Sequence, residues 1–366
     1  MVEIFNMHTM YAYCPDEVAK RNIKYAYSTF TSSVDSEAER IRSELTDFLS
    51  KNIFGIGNTE SLMLNSGSEA NEIALFLAKR RTGRSIVVSS NLAHSSVGYS
   101  AKKLDLESKV FAVDATTFQV SENDLLAYLE ENGDKVAMLN ATYGTTQLGT
   151  TEDFILSPRV REVCKSKGIG IHIDAAFGAF YLHQIGEVPP EWQKVFAEAD
   201  SITVDPFKFV GFPTLGIVIL KDPNYRALLD GEVTYFKGIT TALGTTRSVM
   251  PAACALDIIK ELGVGGLRKL SSDSLAKAHH ITDELGKDGV EFLSDKRNVV
   301  VAIKMPDESA LTSKLDALYG LGFYLSSVKI KSDNYDLFAM RIVTTPKPEM
   351  TLENIDRFIT AFRSLK

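Results

Sequence analysis

Between residues 61 and 220, short apolar runs alternate with segments of helical periodicity. SLMLN (61–65), SIVVSS (85–90), KVFAV (109–113), KVAMLNAT (135–142), GIGIHID (168–174), SITV (201–204) and LGIVIL (215–220) are the apolar runs. Most are apolar along nearly their whole length rather than at alternate positions. Helical patterns lie between them, around 68–82, 95–104, 121–131 and 157–167. Strands of this kind separated by helices predict a mainly parallel sheet covered on both faces. LGIVIL follows SITV too closely for a crossover helix, which predicts an antiparallel last strand. Upstream, an irregular first stretch of about thirty residues precedes SEAERIRSELTDFLSKNIFG (36–55). There Ile41, Leu45, Phe48 and Leu49 recur at helical spacing, acids stand near the start and Gly55 is the stop signal.

The pattern changes after residue 248. Helices are predicted at 250–262, where GVGG breaks the periodicity, and at 271–287. NVVVAIK (298–304), GFYLSSVKI (322–330) and LFAMRIV (337–343) read as strands around a helix at 308–320. A terminal helix spans 351–366, with Thr351 as N-cap and Glu353 in the favourable first turn. Few strands with helices set against them predict an α+β unit. The expected organisation is an N-terminal segment (1–45), a large α/β domain (46–248) and a smaller C-terminal α+β domain (249–366).

Composition narrows the function classes. The chain has 366 residues, 45% hydrophobic and 24% charged, an ordinary globular usage. Its formal charge of -7 argues against nucleic-acid binding driven by overall charge. The longest clean apolar run, LGIVIL, is far short of the ~20 residues of a membrane span. The first twenty residues lack the basic-then-apolar layout of a secretion signal. Cys14, Cys164 and Cys254 are odd in number and far apart, which suits a reducing, cytoplasmic compartment and neither a zinc site nor a disulfide framework.

Three places could carry chemistry. In LMLNSGSEAN a strand runs into Asn65-Ser66-Gly67-Ser68 and a helix begins at Glu69. Gly67 permits close backbone approach, Ser68 offers a hydroxyl and an N–H, and a helix N-terminus favours an anion. The bland reading is a capped turn; the spacing is not that of a Walker loop. In GIGIHIDAAFGAF, Asp174 ends a strand where parallel sheets bind ligands, and Ala175 and Ala176 leave room for a flat ring. His172 shares a strand face with Asp174, as one of two metal ligands or as a satisfied core histidine. In DSITVDPFKFVGF, Lys208 follows a strand end among Phe207, Phe209 and Phe212. An apolar setting makes a lysine amine nucleophilic, although a loop lysine is ordinarily a solvated charge. Lesser candidates are His94, just after a strand, and the hydroxyls of Thr142, Thr145 and Thr146 in ATYGTTQLGT. His279-His280 and Trp192 carry no assigned role.

The order of these blocks is more specific than any one of them. NSGSEAN, the His94 segment, ATYGTT, HIDAAFGAF, SITVDPFKF, LGTTRS (243–248) and AMRIVTTP (339–346) together resemble the fold-type-I pyridoxal-phosphate enzymes. The likeness is to the group II decarboxylases, most of all the compact archaeal-type L-tyrosine and L-aspartate decarboxylases, and covers nearly the whole chain. It implies a large mainly parallel sheet domain of the PLP-dependent transferase type with a smaller α+β domain. It also implies pyridoxal 5'-phosphate as cofactor and decarboxylation of an L-amino acid to an amine and carbon dioxide. By this resemblance Lys208 carries the cofactor covalently and Asp174 pairs with its ring nitrogen, keeping the ring an electron sink. His94 stacks on the ring, Ala176 packs on the other face, Gly67 and Ser68 hold the phosphate, and Thr145 makes a polar contact. Arg341 binds the substrate carboxylate, a task suited to its planar fork. A cytoplasmic homodimer with interfacial sites is expected, LGTTRS reaching the neighbour's phosphate.

The chain departs from that pattern at Phe207, where the family has histidine before the lysine. Tyr235 stands in the stretch where decarboxylases carry a catalytic loop tyrosine. A lyase or transferase of the same fold, a His172/Asp174 metal enzyme and a non-catalytic relative are the competing readings.

Overall fold

The computed structural model describes residues 5–7, 14–30, 36–222, 224–229, 231–232, 239–240 and 247–365. Its frame is a seven-stranded sheet: β1 (Glu60–Leu64), β2 (Ile86–Ser90), β3 (Glu107–Phe111), β4 (Val136–Thr142), β5 (Gly170–Asp174), β6 (Ser201–Val204) and β7 (Gly216–Leu220). The order is β1-β7-β6-β5-β4-β2-β3. Strands β2 to β6 pair in parallel, and β7 is antiparallel to both β6 and β1. Strand β1 therefore points the same way as β2–β6, and six strands end at one edge of the sheet.

The strands are apolar throughout because successive residues enter different cores. Leu62 and Leu64 face Ala70, Ile73 and Leu77, whereas Met63 joins the cluster on the other side. Val87 packs with α2 (Gly67–Thr82) and α3 (Ser95–Lys103), while Ile86 and Val88 face the opposite cluster. That second face is covered by α4 (Glu122–Asn132), α5 (Pro158–Lys167), α6 (Pro190–Glu198) and the first half of α7 (Met250–Gly286). Serine caps start α2, α4 and α5, each accepting a backbone N–H from the first turn. Each such cap stabilises its helix by about 1 kcal/mol.

A three-stranded antiparallel sheet follows, built from β8 (Val300–Met305), β9 (Ser326–Ser332) and β10 (Tyr335–Val343), with β10 central. Its two faces go to different places. Val300, Ala302, Ala339 and Val343 pack into the main core. Val301, Ile303, Met340 and Ile342 pack beneath α8 (Glu308–Gly320) and α9 (Leu352–Ser364). Arg341 shares the face of Ala339 and Val343, so strand alternation turns it toward the large sheet.

Several elements differ from the sequence reading. The antiparallel seventh strand and the Thr351 cap are as expected. The edge strand lies at 107–111 rather than 109–113, because Val113 finds its partners in side chains: its N–H bonds Asn91 Oδ1 and its carbonyl accepts from Tyr335. The two helices expected around GVGG are the two arms of α7, with the break where it was expected: Gly263 (φ 58°, ψ -179°) leaves the helical region and kinks the chain, and the second arm starts directly after it rather than at Ser271. The stretch 322–330 splits, and Phe323–Tyr324 pairs in parallel with Phe5–Asn6 at the chain start. Helix α1 (Ser36–Phe48) runs across residues 45 and 46, where the N-terminal segment was expected to end. The helices Asp16–Asn22 and Pro190–Glu198 had no counterpart in the reading. Among the described residues no helix is long and apolar enough to cross a membrane.

Gly216 opens β7 against the turn that leaves β1, and a Cβ there would lie 2.1 Å from the Ser66 carbonyl carbon. Gly216→Ala must push backbone rather than a flexible side chain. We expect a loss of about 2 kcal/mol, within the range of overpacked sites, measured by denaturant unfolding. An unchanged midpoint would show that the turn yields without cost.

Candidate active site

Five of the six co-directional strands deliver a turn to one cavity of about 290 Å³. From β1 come Ser66, Gly67 and Ser68; from β2, His94; from β4, Thr142, Gly144 and Thr146; from β5, Asp174 and Ala176; from β6, Asp205, Phe207 and Lys208. Asn71, Phe177 and Arg341 complete its wall. A larger cavity of about 570 Å³ opens at the other ends of β6 and β7, among Ile56, Phe196, Ile202 and Ile219, and no acid or histidine lines it.

Asp174 is 4% exposed and must be given donors. Asn71 Nδ2 donates to Oδ2 at 2.8 Å and the Ala176 N–H donates to Oδ1 at 3.1 Å. His172, two residues earlier, is wholly buried and has both nitrogens engaged: Nδ1 with Ser201 Oγ at 2.8 Å, and Nε2 with Asn71 Oδ1 at 3.1 Å. Burial pushes it down to about 4, so it is neutral. It is a satisfied core histidine with no nitrogen left for a metal, and the His172/Asp174 metal reading has no geometric support.

His94 is the N-cap of α3, and its Nδ1 accepts from the Ser96 N–H at 3.2 Å and lies 2.8 Å from Ser96 Oγ. Its pKa is lowered by burial, with Lys208 and Arg341 acting in the same direction against Asp174. Lys208 Nζ lies 3.0 Å from Asp205 Oδ2. Its loop is anchored by the Tyr181 hydroxyl donating to the Lys208 carbonyl and by Phe209 stacked on Phe180 at 5.0 Å. Of the three flanking aromatics, Phe209 is buried, Phe207 lines the cavity and Phe212 is exposed.

Asp205 is 2% exposed, and its pKa is raised by burial, with the Lys208 amine pulling the other way. It lies against Gly67, where a Cβ would stand 2.6 Å from its Oδ2. Only glycine fits there, and the group it approaches is the Asp205 carboxylate. Arg341 reaches in from β10: Nε donates to Ser326 Oγ at 2.9 Å and Nη1 to the Thr146 carbonyl at 2.6 Å. Burial pushes it down to about 10, still a cation at neutral pH.

Gly67, Ser68, His94, Asp174, Ala176, Lys208 and Arg341 are thus brought together. Thr145 is not brought to the wall: it is fully buried and its hydroxyl bonds Thr150 Oγ1 at 2.9 Å, while its neighbours Gly144 and Thr146 line the cavity. Tyr235 and residues 243–246 of LGTTRS lie outside the described residues. The sequence reading missed Asn71, Asp205 and Glu152. Asn71 stands one helical turn beyond Gly67, so it shares the face of α2 that meets the strand ends, and that spacing was a usable signal.

A model of the pyridoxal-dependent decarboxylase conserved domain matches residues 74–304. The probable L-tyrosine/L-aspartate decarboxylase of Methanococcus aeolicus is 26% identical over 333 residues, covering 84% of this chain and 80% of that protein. The L-tyrosine/L-aspartate decarboxylase of Methanocaldococcus jannaschii is 26% identical over 326 residues, 83% of this chain and 77% of that one. Among solved structures, Lactobacillus brevis glutamate decarboxylase has a TM-score of 0.83 at 18% identity, covering 98% of this chain and 87% of that one. The Burkholderia pseudomallei sphingosine-1-phosphate lyase has a TM-score of 0.80 at 15% identity, covering 98% and 84%. At those identities the structures attest the shared fold.

Behind Thr142 lies Glu152, 1% exposed, accepting from the Thr142 N–H at 2.6 Å and from the Ser90 hydroxyl. Burial pushes its carboxyl up to about 7 from 4.5. The folded chain therefore holds a proton that the unfolded chain has lost between those values, and stability falls as pH rises through that window. The full cost above it is about 3 kcal/mol. Glu152→Gln keeps an acceptor for Thr142 and offers a donor to Ser90 Oγ. Urea unfolding of both forms from about pH 4 to about pH 8 should show the variant gaining on the parent as pH rises. Parallel curves would mean that Glu152 ionises as freely when folded as when unfolded.

Proposed function

Since the chain belongs to the pyridoxal-dependent decarboxylase family, we propose that this cavity binds pyridoxal phosphate and removes the α-carboxylate of an L-amino acid. The observation that carries the reading is the convergence of Lys208, Asp174 and His94 on one cavity that Arg341 enters from the other sheet. The residues fit the cofactor. A lysine amine, a carboxylate held as an acceptor and an imidazole line one concavity, with a glycine cradle at the N-terminus of α2.

When bound, the cofactor supplies a conjugated cationic ring that accepts the electron pair left by the departing carboxylate. Lys208 would carry the group covalently, and Asp174, which takes one donor on each oxygen and keeps lone pairs toward the cavity, would pair with its ring nitrogen. His94 and Ala176 would bracket the ring, and the N-terminus of α2 at Gly67 and Ser68 would face its phosphate. Thr145 acts through its turn rather than by contact: its bonds to Thr150 hold Gly144 and Thr146 at the wall. Arg341, held by Ser326 and Thr146, binds the substrate carboxylate. The buried setting of these groups strengthens every charge interaction within the cavity. L-Tyrosine and L-aspartate are the first substrates to test, on the names of the archaeal relatives. A cytoplasmic homodimer with interfacial sites accords with the resemblance, as does Tyr235 as a loop tyrosine of the catalytic cycle.

Borohydride reduction of the cofactor-loaded protein followed by peptide mapping should place the pyridoxyl group on Lys208, and an amino-acid panel should yield carbon dioxide and the matching amine. A label on Lys221 or another lysine would overturn the site. A keto acid or a cleaved side chain in place of carbon dioxide would favour the lyase or transferase reading.

Phe207 is the one position that favours that second reading. A phenyl ring neither bonds a phosphate nor carries a proton, whereas the family histidine does both. Proton delivery then falls to Lys208 or Tyr235. General acid assistance is worth about a hundredfold or more, and Phe207→His should raise carbon dioxide release from at least one amino acid. Release and cofactor occupancy are measured for both forms. Equal or lower release by a fully loaded variant would mark the phenylalanine as adapted to a different chemistry.

A further inference from the structure

Asn71 is 1% exposed and occupies the centre of a hydrogen-bond chain that links both sides of the cavity. Its Nδ2 donates to Asp174 Oδ2 at 2.8 Å and to Ser96 Oγ at 2.9 Å, and its Oδ1 faces His172 Nε2 at 3.1 Å. Ser96 Oγ lies 2.8 Å from His94 Nδ1, which also accepts the Ser96 N–H.

The orientation of each group follows from its neighbour. A carboxylate only accepts, so the Asn71 amide must present its NH2 to Asp174. The amide oxygen then faces His172, which must carry its proton on Nε2 and accept from the Ser201 hydroxyl at Nδ1. The second amide hydrogen goes to Ser96 Oγ, which leaves the serine hydroxyl free to donate to His94 Nδ1. The hydroxyl, at 2.8 Å the nearer of the two groups on that nitrogen, makes it an acceptor, the Ser96 N–H approaches the same nitrogen at 3.2 Å, and the His94 proton sits on Nε2.

We propose that Asn71 is a positioning residue that fixes the proton on Nε2 of both His94 and His172, and so holds His94 as a neutral ring on the cavity wall. The groups facing His94 are consistent with an uncharged ring: Lys208 and Arg341 disfavour a second positive charge, and Asp174 alone opposes them. The role in catalysis rests on the function proposed above. A neutral imidazole can pack on a cationic ring without like-charge repulsion, and its remaining N–H is a fixed donor.

The test reads proton positions rather than turnover. Full-length protein labelled with 15N-histidine and loaded with pyridoxal phosphate is observed by long-range proton–nitrogen correlation, with His94 assigned by its loss in His94→Gln. In the parent, His94 and His172 should both show a bare Nδ1 and a protonated Nε2 at neutral pH. Asn71→Asp turns the donor into an acceptor, draws the Ser96 hydroxyl away and should raise the Nδ1-protonated fraction of His94 roughly tenfold. Asn71→Ala should broaden or mix the two tautomers in both rings. A parent His94 protonated at Nδ1 would overturn the assignment without any variant, even if the Asn71 variants do not fold. Unchanged histidine signals in folded variants would overturn it as well. The expected signals in a protein that releases no carbon dioxide would support the hydrogen-bond assignment and sink only the reaction.

Discussion

A carboxylate buried at the end of a central strand sets the terms for the rest of this molecule. Asp174 cannot keep its charge at 4% exposure unless donors are built around it. One comes from the tight turn after β5, through the Ala176 N–H, and the other from α2, through Asn71. Helix α2 can reach that point only because Gly67 lies against Asp205 and Gly216 lies against Ser66, both without side chains in the way. The charge therefore constrains a helix, two glycines and a turn, while its free lone pairs look into the cavity.

Most of the architecture was legible because both faces of the sheet are covered. Under that condition whole strands are apolar, and SIVVSS or GIGIHID reads as a buried strand without any alignment. The strand ends were legible as candidate positions for the same reason, because six co-directional strands end at one edge; it was the order of blocks shared with a known family that joined Asp174, His94 and Lys208 into one site. What escaped depended on partners distant in sequence. Strand β3 stops early because side chains of Asn91 and Tyr335 take over the Val113 backbone groups. Glu152 is a carboxyl in a loop whose burial comes from Ser90 and Thr142, neither of them near it in the chain. Thr145 and Thr146 look alike in sequence, and only the closure of the Thr145–Thr150 turn decides which is turned inward.

The second sheet shows how one strand can serve two masters. In LFAMRIV the residues Ala339, Arg341 and Val343 face the large sheet, while Met340 and Ile342 face the helices of the smaller unit. An arginine between two apolar residues on an inward face is costly to bury, and here the Ser326 hydroxyl and the Thr146 carbonyl accept its protons. The alternation of a strand thus turns one guanidinium to the cavity wall, on an element rigid enough to aim it.

Helix α7 ties the two halves in a further respect. Its first part, from Ala252 to Ile259, lies in the main core, and its last part, Ala278 to Leu285, lies in the core beneath α8 and α9. The single break at Gly263 bends the rod without cutting its contacts to either. Together with a small sheet whose faces belong to both cores, this arrangement joins the two cores through shared elements. Packing lost in either core is therefore lost from a helix and a sheet that the other core also uses.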